Sequence, residues 1–455
     1  MIGGGIGGLC LAQGLRRAGV SVTVYERDRT ADSRLQGFRL NIEPTGSVAL
    51  QACLPPALWE VLVATAGDPG PGIGFLDERM RPLVLIGQDG TEHDPLDPTT
   101  SEHAVSRVTL RKLLLAGLDD VVRFGKDFTG FARADDGTVT AKFADGTTAT
   151  ADVLVAADGA NSRVWAQLHP AAGRTVIPAV AVAGKLFLNE ENRRWLPERL
   201  LAGRNVFWPR RDFLFTAIFR RREGSAAIIT RLGERVRALG LDPEHLLADS
   251  RDDDYVLWAF IAHRDSVPVD FMSKAQGDPA AVRKLLTERT AGWHPDLRRL
   301  ITASTQDTLY QTGFSAAEPL EPWESDNVTG LGDAVHHMPP VGGLGGNTAL
   351  RDAHRLCAAL TAADRGEEPL ARALRAYEAD MLRHGFKTVR EVVRNTEGAI
   401  TRNPLKRSAV RWFFRACGAV PPSAARCSGS AEAAAGHPVP GAWRARDRNR
   451  MDGGG

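Results

Sequence analysis

The first eight residues constrain this chain more than any other stretch. MIGGGIGG sets Gly3, Gly5 and Gly8 in the spacing GxGxxG, and the residues after Gly8 stay in register with them. Apolar residues recur at helical spacing in LCLAQGLRRAG, and a β-branched run, VSVTVYE, ends at Glu26, 18 residues after Gly8. Each glycine has a physical reason: Gly3 permits the tight turn, Gly5 lets a pyrophosphate approach the backbone, and Gly8 lets helix meet sheet. The helix opening at Ile6 offers free N–H groups and a partial positive charge to phosphates. Glu26 is placed to accept hydrogen bonds from an adenosine ribose, with Arg27 beside it. An ordinary glycine-rich turn needs no helix, strand and terminal acid in this order, so a dinucleotide site is expected. NAD and FAD both satisfy the pattern.

At roughly 150 residues per domain, 455 residues hold more than one core, and two domains with appendages are expected. Hydrophobic residues at 43% and charged residues at 25% fit a folded globular protein and exclude a collagenous or largely disordered one. No run approaches the ~18 apolar residues of a membrane span, and no leader pattern opens the chain; the expectation is no membrane span and a cytoplasmic location. The net charge of +2 gives no field to attract nucleic acid. Cys10, Cys53, Cys357, Cys417 and Cys427 are scattered, without a close pair, so neither a disulfide framework nor a zinc site is expected.

The fold class expected is α/β with an α+β substrate domain: a Rossmann-like nucleotide-binding domain with a parallel sheet, interleaved with a mainly antiparallel sheet and followed by C-terminal helices. Residues 1–70, 100–165 and 310–367 form the discontinuous nucleotide domain; 71–99 and 166–309 form the substrate domain. The amphipathic run VSRVTLRKLLLA reads as a helix, and 121–156 alternate around DDG and ADG as strands and hairpins. VFWPRRDFLFTAIF and YVLWAFIA read as strands of the second domain. Helices are expected over 368–418, and 419–455 has the composition of a disordered tail.

Two further segments carry chemistry. Asp158 and Gly159 follow the buried run DVLVAA; alone they are a common turn. GLGDAVHHMPPVGGLGGNTALRDAHRL is more specific. It joins an acid at a strand end, Asp333, to a proline-stiffened turn, four glycines in five positions and a helix start. Such a loop brings backbone donors against an anionic or electron-rich ring edge. It suits a flavin better than a nicotinamide.

These three elements, in this order and approximate spacing, resemble the single-component FAD-dependent aromatic hydroxylases, the para-hydroxybenzoate hydroxylase-like class that includes tetracycline-degrading monooxygenases. The resemblance spans roughly residues 1–370. It implies that Asp333 contacts the ribityl and phosphate region, that Pro340, Gly343, Gly345, Gly346 and Asn347 lie beside the isoalloxazine, and that Arg107 of RVTLRKLL reaches the FAD. It implies that Asp158 serves both FAD and NAD(P)H. Two departures stand out. Trp165 occupies the position where the DG pattern usually has Arg, with Arg163 two residues earlier. Only Met1 and Ile2 precede Gly3, so the chain is expected to start inside the central strand, and about six added apolar residues are expected to improve FAD binding.

The resemblance further implies non-covalent FAD, NAD(P)H as a transient co-substrate, and dioxygen. The reaction implied is hydroxylation of an aromatic or polycyclic, polyketide-like molecule through a flavin hydroperoxide. No obligatory side-chain nucleophile is implied, so catalytic residues are unassigned. Epoxidation, Baeyer-Villiger insertion and oxygen-independent reduction use the same motifs, and a degenerate flavin-less binding protein is the alternative from another class. His336 and His337 are adjacent, project differently and have no further ligand at metal spacing, so no metal is expected. Arg39 reads equally as a solvent-facing strand cation or as a group near flavin or substrate. Trp208, Phe213, Phe215, Trp258 and Phe260 read first as core and second as an aromatic pocket. Arg444, Arg446, Arg448 and Arg450 read as a solvated tail.

Overall fold

The computed structural model describes residues 1–31, 39–87, 94–220, 225–242, 254–268, 279–324 and 326–419. Residues 420–455, with the arginines of the expected tail, lie outside the described residues.

Short β-branched runs build a parallel sheet because both of its faces are covered. Val24–Tyr25 pairs with Val122–Arg123, and Leu154–Ala156 pairs with Val328–Gly330, all parallel. Ile2 joins the two halves. It bridges in parallel to both Tyr25 and Ala156, and its N–H donates to the Val155 carbonyl at 2.9 Å. The helix Ile6–Ala18 leaves this centre at once and ends at Gly19, whose φ of 81° suits the left-handed cap. It packs against Pro44–Cys53 and Leu344–Asp364.

The second sheet has seven strands, in the order Tyr310–Ala317, Arg174–Phe187, Tyr255–His263, Phe213–Phe219, Arg204–Phe207, Ile73–Leu76, Pro82–Ile86. All neighbours are antiparallel except the parallel pair Arg204–Phe207 and Ile73–Leu76. Residues 310–317 correct one sequence boundary: assigned to the nucleotide-binding segments, they pair instead with the long strand Arg174–Phe187. That strand has 14 residues, enough to hold the Tyr255–His263 edge on one side and a second partner on the other.

Alternation decides what each face of this sheet meets. Val182, Leu186, Leu214, Val256, Trp258 and Phe260 point into a core closed by the helices Pro279–Arg289 and Pro295–Thr302. The opposite set, with Phe187, Phe215 and Leu257 among it, faces the strand pair Arg39–Ile42 and His103–Ser106.

The helix Leu370–Ile400 buries Ala373, Leu374, Tyr377, Met381, Gly385 and Phe386 along one side. Pro404–Ala419 returns along the large sheet, where Phe414 packs on Phe75 and Trp208 and buried Arg407 donates to the carbonyls of Pro209 and Ala399, each at 2.8 Å. Among the described residues, no helix is long and apolar enough to cross a membrane.

The cysteines that look scattered in sequence partly converge. Cys53 and Cys357 flank Gly14, where a Cβ would meet both sulfurs, and Cys10 shares a hydrogen bond with Cys53. Hydrogen bonding among the thiols, then burial, pushes Cys53 and Cys357 up, so they stay protonated. The described cysteines form no disulfide, and no metal-holding cluster exists among the described residues.

Candidate functional site

The glycine loop is built by close backbone contact. Gly3 has φ of 105°, and a Cβ on it would lie 2.3 Å from the Ala157 carbonyl oxygen. A Cβ on Gly8 would lie 2.4 Å from the Gly3 oxygen, and one on Gly7 would strike Leu331. Thus the first motif lies on the second at Ala157–Asp158 and on the third at Leu331. The Gly4 N–H donates to Glu26 Oε2 at 2.7 Å, and the Asp28 N–H donates to Oε1 at 2.9 Å, which fixes the buried carboxylate beside the loop.

Asp158 accepts the Arg163 N–H at 2.9 Å through Oδ2, and burial pushes its carboxyl above the usual range. Asp333 begins a one-turn helix, Asp333–His336, immediately after Gly332, whose φ of 61° sets the turn. Asp333 is exposed, and a Cβ on Gly345 would stand 3.8 Å from its Oδ1. Glu26, the glycine loop and Asp333 therefore form one continuous rim, with Glu26 held at Gly4 and Asp333 two residues from the Leu331 that packs on Gly7.

Asn347, in the first turn of Leu344–Asp364, ties this rim to the strand Arg39–Ile42. Its Oδ1 accepts the Glu43 N–H at 2.9 Å; its Nδ2 donates to the carbonyls of Asn41 and Gly343 at 2.9 and 3.1 Å. Gly46 leaves room for it, since a Cβ there would lie 2.3 Å from Asn347 Oδ1. From the same strand, Arg39 reaches the large sheet and donates to the Ile218 carbonyl at 2.6 Å.

The sheet face met by Arg39 is laid out in cross-strand rows. Phe187, Tyr255 and Phe219 form one row; Lys185, Leu257, Ala217 and Arg204 the next; Ala183, Ala259, Phe215 and Val206 the third. Tyr255 and Phe219 stack at 5.3 Å, and Lys185 Nζ lies 4.5 Å above the Tyr255 ring. Phe187, Phe215, Ala183 and Ala259 keep partial exposure on this otherwise interior face. Phe215 thus lines a floor, whereas Trp258 and Phe260 point to the far side as core. Trp208 and Phe213 also bury as core, packed on each other and, through Trp208, on Phe414.

The remaining sequence candidates fall at different depths. Ile6 and Gly346 are half-buried, while Arg27, Arg107, Pro340 and Gly343 are exposed. Three residues escaped the sequence reading. Arg111, one turn beyond Arg107, donates to the Gly4 carbonyl and pairs with Asp28 at 3.7 Å. Asp352 holds His336 and Gly332 from below. Arg204 joins the floor. Arg111 was the most accessible, because it shares a helix face with Arg107.

Two observations show that these residues fit a flavin dinucleotide. Gly5 caps the helix Ile6–Ala18 with no side chain over its N–H groups, a Cβ there would meet only the Ala157 oxygen at 4.0 Å, and Gly343 and Gly346 face open space. Oδ1 of Asp158 is buried without a hydrogen-bond partner. Both are what a polar, extended ligand on the glycine rim would fill.

A FAD binding domain model matches residues 303–392, and an NAD(P)-binding Rossmann-like domain model matches residues 1–50. The chain is 31% identical over 412 residues to the dual O-methyltransferase/FAD-dependent monooxygenase CTB3 of Cercospora beticola, covering 83% of this chain and 43% of that protein. The chain spans about two fifths of the length of the first fungal relatives it matches. A crystal structure from Photorhabdus luminescens subsp. laumondii TTO1, ascribed to a FAD-containing monooxygenase, aligns at 30% identity and a TM-score of 0.74, over 88% of this chain and 97% of that one. Klebsiella pneumoniae HpxO, complexed with FAD and uric acid, shares the fold at 22% identity and a TM-score of 0.70, over 91% and 92% of the two chains.

Proposed function

The chain belongs to the FAD-dependent monooxygenases, and we propose that it uses NAD(P)H and dioxygen to hydroxylate an electron-rich aromatic or polycyclic small molecule. The observation that carries this reading is the Asn347 tie, which sets the glycine-rich rim against an aromatic sheet face through one short strand. A rim alone would serve any dinucleotide. A rim facing Phe187, Phe215 and Leu257 serves a flat apolar molecule held next to it.

In this reading Glu26 holds the adenosine ribose, the N–H groups after Gly5 take the pyrophosphate, Asp333 takes the ribityl region, and Gly343–Asn347 edge the ring. FAD, when bound, supplies electron transfer from the nicotinamide and activation of oxygen. The chain supplies position and dryness. Asn347 fixes the spacing between loop and strand, and the rows through Phe187, Leu257 and Phe215 displace water from the reacting face. The Asp158 carboxylate, with one oxygen on Arg163 N–H, keeps the other for the cofactor.

The test is a screen of phenols and polycyclic phenols with the FAD-loaded protein, following NADH and NADPH oxidation, oxygen uptake and product mass. Stimulated oxidation with matching oxygen uptake and a product heavier by one oxygen atom on a ring carbon supports the reading. Insertion into a carbon–carbon bond, an epoxide, or reduction without oxygen uptake replaces it with related flavin chemistry. A purified protein that takes up no flavin overturns it.

A further inference from the structure

The most exposed large apolar side chains among the described residues are Leu405 and Trp412, at 79% and 72%, and both stand on the helix Pro404–Ala419. They are about two turns apart and so share one face, with exposed Ala409 and Ala416 in the same stripe. Phe413, next around the helix, is 37% exposed. The opposite face holds this stripe outward. Arg407 is committed to the carbonyls of Pro209 and Ala399, Phe414 is fully buried on Phe75 and Trp208, and Arg411 donates to Glu78 Oε2 at 2.8 Å. The helix cannot roll Trp412 under cover without breaking these anchors.

A contiguous exposed apolar stripe marks contact with another body, and charge says which body it is. The helix contains no Asp or Glu. Lys406 borders the stripe on one side and Arg415 on the other, and both are exposed. Arg415 reaches Asp77 only at 3.7 Å, and that carboxylate is already held by Arg81 at 2.7 Å. From Arg402 to the last residue the sequence has ten Lys and Arg against three Asp and Glu, although the whole chain is only +2. The basic excess is thus concentrated where the apolar stripe lies. A second copy of the chain fits poorly, because a two-fold contact through this face sets cations against cations with no acid opposite. Trp, Leu and Phe bordered by cations is instead the pattern of a helix lying in a lipid–water interface, its apolar side chains among acyl chains and its cations among headgroup phosphates. Its 16 residues are too few to cross the hydrocarbon.

We propose that the outer face of Pro404–Ala419 docks the protein on the surface of an anionic lipid bilayer, with Leu405 and Trp412 entering the interface and Lys406 and Arg415 meeting the headgroup phosphates. The apolar stripe supplies depth, and the cations select for negative lipid. No residue of the glycine rim or of the aromatic floor takes part, so the docking face stands or falls separately from the flavin reading.

The experiment uses the full chain loaded with FAD and two kinds of vesicle, phosphatidylcholine alone and phosphatidylcholine mixed two to one with phosphatidylglycerol, with binding read by co-sedimentation. Affinity is expected to be about tenfold or more higher on the anionic vesicles and to fall as salt is added. Trp412→Ser combined with Leu405→Ser is expected to weaken binding about tenfold, and Lys406→Gln combined with Arg415→Gln to weaken it by a similar factor on the anionic vesicles alone. All four side chains are exposed, so melting temperature and flavin occupancy are expected to match the wild type in both double variants. Acrylamide quenching of the wild type against Trp412→Phe reports on the face itself: Trp412 is expected to be quenched readily without lipid and protected on anionic vesicles. No binding at millimolar lipid, equal binding to both kinds of vesicle, or binding indifferent to Leu405 and Trp412 overturns the docking face. Protection of Trp412 without lipid also overturns it, since the face is then covered by a second copy or by other residues of the chain, and light scattering separates the two.

Discussion

Nε2 of His336 lies 2.5 Å from Oδ2 of Asp352, and that same oxygen accepts the Gly332 N–H at 3.1 Å. One carboxylate oxygen thus grips both ends of the turn that presents Asp333. Both side chains are essentially unexposed, and the long C-terminal helix makes the space: a Cβ on Gly385 would lie 2.5 Å from the imidazole Cδ2. Tyr377, about two turns earlier on the same buried side of that helix, donates to the Gly330 carbonyl at 2.8 Å. The acid expected at the flavin is therefore positioned by groups it never touches.

Removing Asp352 leaves the Gly332 N–H and the buried His336 ring without their acceptor. Asp352→Ala is expected to destabilise the fold by about 3 to 5 kcal/mol, measured by urea unfolding with an unchanged m-value. It is also expected to weaken FAD binding, because Gly332 loses its acceptor. A change under about 1 kcal/mol would show that the pair does not clamp the turn.

The pair also sets a pH dependence. Burial opposes charge on His336, but the attraction and hydrogen bond of Asp352 outweigh it and raise the imidazole above its usual 6.5. A raised histidine contributes stability in full below 6.5 and loses it as pH climbs through the folded value. The melting temperature of the wild type is thus expected to exceed that of His336→Gln most at pH 6, with the gap closing toward pH 9. A gap that widens with pH reverses the sign and refutes the ion pair.

Close packing and ligand approach separate cleanly at two glycines. Gly3→Ala forces a Cβ against the Ala157 carbonyl at a φ of 105° and is expected to cost about 3 kcal/mol or more. Gly5→Ala meets only an oxygen at 4.0 Å and is expected to leave stability within about 0.5 kcal/mol. Its effect falls on FAD, with the dissociation constant rising about tenfold or more as the methyl group enters the space for the pyrophosphate. Equal losses of stability in both variants would contradict this division.

The rim was legible in the sequence because glycine spacing, strand-terminal acids and helix starts are local signals. Asn347 and Asp333 could be named from one stretch of residues, although the partners of Asn347 lie some 300 positions away at Asn41 and Glu43. The floor was not legible. Phe215 and Trp258 sit on adjacent strands with similar patterning, and only the pairing of Thr216 with Trp258 shows which face each meets. The boundary at 310 failed for a related reason: a strand declares its period but not its partner. Arg204 was invisible because a lone cation beside apolar residues carries no signal until its sheet is assembled.

Arg107 and Arg111 illustrate the limit within one helix. They stand one turn apart, and the motif points to the first. Arg107 is exposed at the helix start, while Arg111 is drawn in to the Gly4 carbonyl and Asp28. Arg111→Gln is expected to cost about 2 kcal/mol and to weaken FAD binding; Arg107→Gln is expected to weaken FAD binding with stability unchanged. Unfolding and flavin titration of both variants check this, and a destabilised Arg107→Gln would contradict the exposure difference.

The two faces of the large sheet give the sharpest separation of substrate contact from stability. Trp258 is fully buried, and its Nε1 donates to Ser304 Oγ at 2.7 Å on the helix-covered side. Trp258→Ala therefore removes packing and the bond to Ser304, whose hydroxyl keeps the Leu300 carbonyl as its acceptor, and about 3 to 5 kcal/mol of stability is expected to go with it. Phe215, paired with Ala259 on the opposite face, keeps partial exposure. Phe215→Ala is expected to cost only about 1 kcal/mol of stability, because part of the ring is already solvated, while kcat/KM for the stimulating phenol falls about tenfold. Flavin occupancy should stay normal in Phe215→Ala, since no atom of that ring belongs to the rim. If instead Phe215→Ala loses flavin and keeps its substrate response, the floor and the rim have been assigned to the wrong ligands.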